Sequence, residues 1–502
     1  MTRPEPFAVD GPEDWHRLSP WMMAVKPVEL LPSLIPVVIA LVFAGSGAPL
    51  FTLIATAVIV PFVTVVPWLT TRYQVTDEHV RVRSGLVTRK VATARRDRIR
   101  SVDLTASPVH RVLKLQKVKI GTGGDDESSA VVLTALTVDE ARALHDNLMA
   151  TRTLRGPSAP AGTDPDDPTA PVAAEDPTVL ARFQTAWLRY SPFSVAGLAL
   201  AAGAAGLAAQ IANDAGVFTE GIGFARDAVD SIRETAIGLV VLGACLLVIV
   251  VGGILSVLGY VLNYWNFRLL RSPDGTLRTE RGLLTTNAIS FDERRIRGSH
   301  LTEPVLMRPL KGARLQAIAT GSTKHPLLLP PAPIDEAMRV AGLVTDERTE
   351  LTTPLVGHGV TAGRRRINRG FSSGAVVFIV IGVAVLTRAL PAPWLAVGVV
   401  AVLGSTALGV VRARHLGHRL TSRSVVIAPP SVARQRIVVD RDGVIGWASR
   451  TSLFQRRAGV TTLILATAAG AEHYPLVDVD EETAAGVARD VSPDWIRPFL
   501  VP

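Results

Sequence analysis

The chain of 502 residues is 48% apolar with a mean hydropathy of +0.30, above what an ordinary soluble protein of this length carries. Its single cysteine, Cys245, excludes an intramolecular disulfide framework and a cysteine-based metal site. The net charge of +9 fits nucleic acid, anionic lipid or the positive-inside bias of a membrane protein, and the hydropathy favours the last.

Residues 1–27 are expected to form an N-terminal cytoplasmic segment, polar and acidic over its first twenty or so residues, the wrong order for a cleaved secretory signal, so the first span is expected to stay in the mature protein. Six apolar runs follow, at 28–46 and 48–69, 192–212 and 236–262, 371–388 and 392–411. Each is long enough for roughly 30 Å of hydrocarbon. They predict three helical hairpins, over 28–70, 181–265 and 370–412, followed by polar domains at 71–152, 266–346 and 413–502. A Pro/Ala/Asp-rich linker occupies 153–180 and a basic linker 347–369. Arg72, Arg268, Arg412 and Arg414 follow the even-numbered spans, and Arg364, Arg365, Arg366 and Arg369 precede the fifth, which places the polar segments in the cytoplasm. The arginine run at 364–369 reads either as this topology signal or as a lipid-headgroup site. Trp68, Trp187, Tyr190, Tyr264 and Trp265 are expected at the inner interface. Charges are scarce within the spans, and the series Gly398, Gly404, Gly409 predicts close helix packing rather than an ion path.

The stretch GLVTRKVATARRDRIRSVDL (85–104) recurs as GLLTTNAISFDERRIRGSHL (282–301). At a constant offset of 197, Gly85 falls on Gly282, Arg98 on Arg295, Ile99 on Ile296, Arg100 on Arg297 and Arg111 on Arg308. A third copy, offset by 345 from the first, matches Arg456 to Arg111 but replaces Gly85 by Pro430 and Arg98-Ile99 by Gly443-Val444. Closing helices are expected at 138–149, 334–344 and 479–491. Alternating apolar residues between turn signals predict mostly β domains, with Gly85 and Gly282 in tight turns where a positive φ costs glycine nothing.

A membrane hairpin followed by a short β-domain carrying Thr-Asp, Gly-Leu and Arg-Ile resembles the bacterial membrane-flanked pleckstrin-homology-like (PH-like) proteins, the second bacterial PH class, here as a multi-unit member. The resemblance covers nearly the whole chain and is strongest over 72–124 and 266–322. It implies two bent antiparallel sheets with a C-terminal helix, a membrane-associated role, and a smaller single-unit PH-like relative as a partner. The expected fold class is thus an α+β membrane protein, with six transmembrane helices as three hairpins, each followed by a cytoplasmic PH-like β-domain with a C-terminal helix.

Arg98, Arg100, Arg295 and Arg297 flank Ile99 and Ile296 in a strand-like alternation that puts the isoleucines in the core and the arginines on the opposite face. These arginines either line a solvated surface or meet lipid phosphates, whose oxygens a guanidinium fork matches. Arg111 and Lys114, echoed by Arg308 and Lys311, form basic clusters worth about 1 kcal/mol per charge beside an anionic membrane. No interleaved aromatics, helix-turn-helix or zinc pattern supports nucleic acid. His415 and His418 are spaced for one helical face but lack further ligands, and are expected to be solvated at the interface. GTGGDDESSA (121–130) lacks the Lys-Ser/Thr of a phosphate-binding loop, and no nucleophile or zinc motif appears. No catalytic residue, metal or cofactor is therefore expected. The reading is a non-enzymatic scaffold at the bacterial inner membrane, binding membrane lipids, peptides or a membrane-protein partner. The alternative is a transporter or envelope-stress export component, which a polar-lined passage between helices would favour over dry Gly/Ala packing.

Overall fold

In the computed structural model of the chain, residues 14–23, 25, 65–85, 90–99, 101–121, 131–153, 177–193, 203, 206, 235–320, 326–345 and 348–496 are described. Nearly all of the expected spans at 28–46, 48–69 and 192–212, most of the linker at 153–180, the glycine-rich stretch after Gly121, and Arg100 lie outside these residues.

Three repeats of the same order follow one another. The first holds β1 (His16–Arg17), β2 (Arg72–Val75), β3 (His79–Ser84) and β4 (Lys90–Arg95) as one antiparallel sheet. Then come β5 (Ser101–Ala106), β6 (Leu115–Gly121), β7 (Val131–Thr137) and α1 (Val138–Thr153). The second opens with β8 (Thr178–Arg182) and the helix α2 (Thr235–Tyr264), then β9 (Arg268–Arg271), β10 (Thr276–Arg281) and β11 (Thr286–Asp292). It closes with β12 (Ile296–Glu303), β13 (Gly312–Ala319), β14 (Leu327–Pro333) and α3 (Ile334–Val344). The third runs β15 (Val356–Gly357), α4 (Gly359–Leu386), α5 (Trp394–His415), β16 (Gly417–Leu420), β17 (Ser424–Ala428) and β18 (Arg434–Asp440). After these come β19 (Val444–Arg450), β20 (Val460–Thr467), β21 (His473–Asp480) and α6 (Glu481–Val491). The short strands β1, β8 and β15 begin before the expected hairpins, so the boundaries at 71, 266 and 413 leave the opening strand of each repeat behind.

The sheets do not stop at the ends of the repeats. One seven-stranded sheet runs β7-β6-β5-β11-β10-β9-β8 and another runs β14-β13-β12-β18-β17-β16-β15. In the first, Ser101 lies opposite Phe291 and Ala106 opposite Thr286; in the second, Gly298 lies opposite Val439 and Glu303 opposite Arg434. The chain accordingly divides into two compact units that cut through the second repeat. One comprises residues 1–182, 265–295 and 321–323, the other residues 183–264, 296–320 and 324–502.

Within the first unit, the inward positions of β2, β3, β5, β6 and β7 bury Val75, Val80, Val102, Val118, Ile120, Val131 and Leu133 beneath Ala141, Leu144 and Leu148 of α1. Ile99 is fully buried in this core, as its place in the Arg-Ile motif predicts. In the second unit, Val425, Ile427, Val439, Leu465, Leu476 and Val479 pack beneath Ala484 and Val487 of α6, and Ile318 of β13 joins them. Each closing helix thus presents an apolar face to the end of its sheets.

Among the described residues, α4 and α5 are long and apolar enough to cross a membrane. The expected fourth span, 236–262, lies inside the 30-residue α2. Helix α4 begins at Gly359 rather than near 371, so the arginine run at 364–369 is helical and continuous with the apolar segment. The α4–α5 contact is built on absent side chains. A Cβ on Gly370 or Gly374 would collide with Ser405 and its neighbours, and one on Gly409 with the backbone of Arg366 and Ile367. Gly398 faces Phe378, whereas Gly404 meets nothing and is a correction to the packing series. Trp187 and Tyr190 are likewise not at an interface: both are fully buried, with Tyr190 stacked against Gly312 and donating to the Leu310 carbonyl at 3.2 Å.

Candidate anion-binding site

The second unit contains a cavity of about 590 Å³ at the end of α5. Four arginines line it: Arg308 from the 3-10 turn Val305–Leu310, Arg414 from the last turn of α5, and Arg434 and Arg436 from β18. Glu303, 3.7 Å from Arg434, is the one carboxylate among the lining residues. Strand alternation carries Arg434 and Arg436 to the same face of β18. Arg436 is buried and donates to the Thr353 carbonyl at 2.6 Å. Its burial pulls its pKa below the usual guanidinium value, without bringing a guanidinium near neutrality.

His415 fixes the geometry of Arg308. Its Nδ1 lies 2.9 Å from the Ser431 carbonyl and its Nε2 2.6 Å from an Arg308 Nη2. A carbonyl only accepts and a guanidinium only donates, so the imidazole is the neutral tautomer with its proton on Nδ1. The Arg308 Nε is buried with no hydrogen-bond partner among the described residues. The cleft therefore gathers a surplus of fixed positive charge with an unsatisfied donor, which suits a multiply charged oxyanion such as a phosphate.

Two exposed apolar turns flank the base of the same hairpin. Beside Arg308, Val305, Leu306 and Leu310 are exposed; the equivalent turn of the third repeat, Leu453–Arg456, exposes Leu453 by 75% and Phe454 by 73%. Arg365 of α4 donates to the Phe454 carbonyl, and it lies six residues, about 9 Å of helix, before Phe371 opens the apolar run. Thus each apolar turn is tied by an arginine to one of the two apolar helices.

The arginines of α4 have a second task. Asp478 of β21 is 2% exposed in its side chain and adopts φ +57°, yet it accepts from Arg365 at 3.2 Å, Arg366 at 2.6 Å and Gln455 at 2.9 Å. Two members of the 364–369 run thus anchor α4 to the third β-domain. Nearby, His418 on β16 lies against His358 with ring centroids 5.0 Å apart and ring planes tilted by 56°. Burial, with His358 adding to it, pushes the His418 pKa down to about 4. His418 is therefore a neutral core residue, not a solvated one, and it shares no helical face with His415.

The remaining motif residues are spread over both units. Arg98 ends a 3-10 corner, Arg96–Arg98, and Arg295 ends the equivalent corner, Glu293–Arg295, where it lies 3.9 Å from Asp292. The motif thus turns a corner before the strand begins, and only Arg297 sits within β12, its stem against Gly443. Arg111 donates to the Leu283 carbonyl at 2.6 Å within the first unit. Lys114 and Lys311 both hold left-handed φ values of 53° and 54° at turns. Of the basic candidates whose side chains are described, Arg308 is the one that lines the cleft. Arg434 and Arg436 went unnoticed because three non-consecutive segments must meet before they form a cluster; their alternation in SVARQRIVV was the available signal.

Comparison with known proteins gives these features a lineage. The family described as bacterial PH domain matches three times, over residues 30–152, 234–348 and 375–494. The UPF0699 transmembrane protein YdbT of Bacillus subtilis (strain 168) is 29% identical over 82 residues, which are 16% of this chain and 17% of that protein. The chain therefore matches less than a fifth of that relative's length. No solved structure matches. With three matches that together take in well over half of its residues, each falling on one seven-stranded repeat, the chain belongs to the bacterial PH domain family.

Proposed function

We propose that this protein is a non-enzymatic membrane platform whose β-domains lie against the inner leaflet and hold anionic lipid headgroups in the Arg308–Arg414–Arg434–Arg436 cleft. The observation that carries the reading is the position of the cleft: it opens at the last turn of α5, beside exposed Val305, Leu306 and Leu310, where headgroups of a spanned bilayer would sit. An inner leaflet is negatively charged, and juxtamembrane arginines are attracted to it. Six spans in three hairpins, with the polar segments cytoplasmic, complete the arrangement. A membrane-protein partner would be received on the β-domain surfaces, and a smaller PH-like relative is one such partner. The glycine-lined α4–α5 contact supports an anchor over a transport passage, since backbone lies against backbone where a polar lumen would run.

The test uses the full chain in detergent and a fluorescent short-chain phosphatidylglycerol. Replacing Arg308→Gln together with Arg434→Gln removes two charges of about 1 kcal/mol each, so binding should weaken by roughly 30-fold. Binding of the same probe with a phosphatidylcholine headgroup should not change. Unaltered affinity for the anionic probe in the double variant would rule out the cleft as a headgroup site.

A further inference from the structure

The two junctions between repeats obey one rule. The first strand of one repeat's second sheet pairs with the last strand of the next repeat's first sheet: β5 with β11, and β12 with β18. The register is the same at both, because Ser101 and Gly298 are equivalent positions, as are Phe291 and Val439. Used twice in a three-repeat chain, the rule leaves two unmatched strands. These are β4, the equivalent of β11 and β18, and β19, the equivalent of β5 and β12. Each is the outermost strand of its sheet among the described residues. Other outer strands, such as β7 and β14, are outermost in every repeat; β4 and β19 differ in lacking, among the described residues, the neighbour that their equivalents have.

Their side chains register the difference. Strand β5 alternates between half-buried and buried along its whole length, whereas β19 exposes Ile445, Ala448, Ser449 and Arg450. On β4, Val91 is 56% exposed. An open edge presents a row of unpaired backbone donors and acceptors, a template for a further strand.

We propose that copies of this chain join through these ends, with β19 of one copy pairing antiparallel with β4 of the next. The internal junctions set the register: Gly446 opposite Ala94, Trp447 opposite Thr93, Ala448 opposite Ala92, Ser449 opposite Val91 and Arg450 opposite Lys90. The occupant is a second copy because each open edge is the complement of the other by a rule this chain already uses twice. The contact is head-to-tail, not self-complementary. It also carries its own restraint. The internal junctions place Thr105 opposite Asn287 and Thr302 opposite Gln435, where this one sets Arg450 against Lys90. Like charges directly opposite weaken a strand pair, so the join between copies is weaker than the joins within one.

Two differently tagged full-length chains, each with Cys245→Ser, are mixed in detergent and oxidised. One carries Ser449→Cys and the other Val91→Cys, and a disulfide-linked pair is expected. Moving the first cysteine to Ala448→Cys slips the register by one and turns the thiols to opposite faces, so the link should be lost. Adding Arg450→Glu to the Ser449→Cys chain should raise the linked fraction, and in the otherwise unaltered protein it should raise the mass measured by light scattering. No link for the in-register pair, equal links in both registers, or a mass unchanged by Arg450→Glu would each overturn the proposal.

Discussion

Lys114, Lys311 and Gly459 occupy one position of the repeat, and all three are left-handed, with φ of 53°, 54° and 63°. In each, the residue's N–H donates to the carbonyl three residues earlier, on Arg111, Arg308 and Arg456. The glycine of the third copy shows what the position demands: a turn, not a charge. Gly282 is the same case in plainer form, since a Cβ there would collide with the Thr285 carbonyl, and Gly85 and Gly282 hold φ of 108° and 111° as their turn signal predicted. Asp478 is the residue on which the base of the third hairpin turns. Asp478→Ala leaves Arg365 and Arg366 half-buried without their carboxylate, and loss of one partner of a buried ion pair costs about 3–5 kcal/mol. Thermal unfolding of the solubilised chain should show a matching fall in midpoint, while a shift within error would make the cluster ornamental. Nothing in the sequence singled out Asp478, because the arginines that need it lie more than a hundred residues away. By contrast Ile99 and Ile296 are buried as apolar residues between arginines, although the motif reaches the core through a 3-10 corner and not through the strand alternation expected of it.

The hairpin of α4 and α5 shows what an element's composition can and cannot foretell. Hydropathy located both helices, and small residues foretold a close contact, but which glycines make it depends on helix rotation. Gly374 faces Val402 and Ser405 while Gly404 faces open space. Gly374→Val should therefore separate the helices and destabilise the hairpin by about 1–3 kcal/mol, the usual range for overpacking. Gly404→Ala should stay within about 0.5 kcal/mol of the parent. Detergent-unfolding midpoints measured side by side distinguish the two, and equal effects would contradict the packing described. Strands were legible for a related reason. A period of two tells which face of a strand is buried; β5 keeps it throughout and β3 as far as Arg83. It does not name the neighbour along the hydrogen-bonding direction, so β5 pairing with β11 had no signature in the sequence.

At the scale of the molecule, the sequence repeat and the structural unit are different objects. The repeat was visible because residues recur at a fixed spacing. The sheets ignore its boundaries, and the chain divides between Arg295 and Ile296, inside the second copy. Excising residues 266–346 as a domain strips β11 of β5 and β12 of β18, along with β8 from the edge of β9. Such a fragment should fail to give dispersed amide resonances, whereas a well-dispersed spectrum would show that the shared sheets are dispensable.

Shared sheets also set a timetable. Strand β5 ends at residue 106, but its neighbour β11 begins only at residue 286. At the usual pace of translation, about 5–20 residues per second, the earlier strand waits roughly 10–40 s for the later one to leave the ribosome. During that interval its bare flank is open to the same flank on chains emerging from neighbouring ribosomes. A transcript that spaces its ribosomes widely, or a chaperone that caps the waiting strand, would therefore govern how much correctly joined protein reaches the membrane.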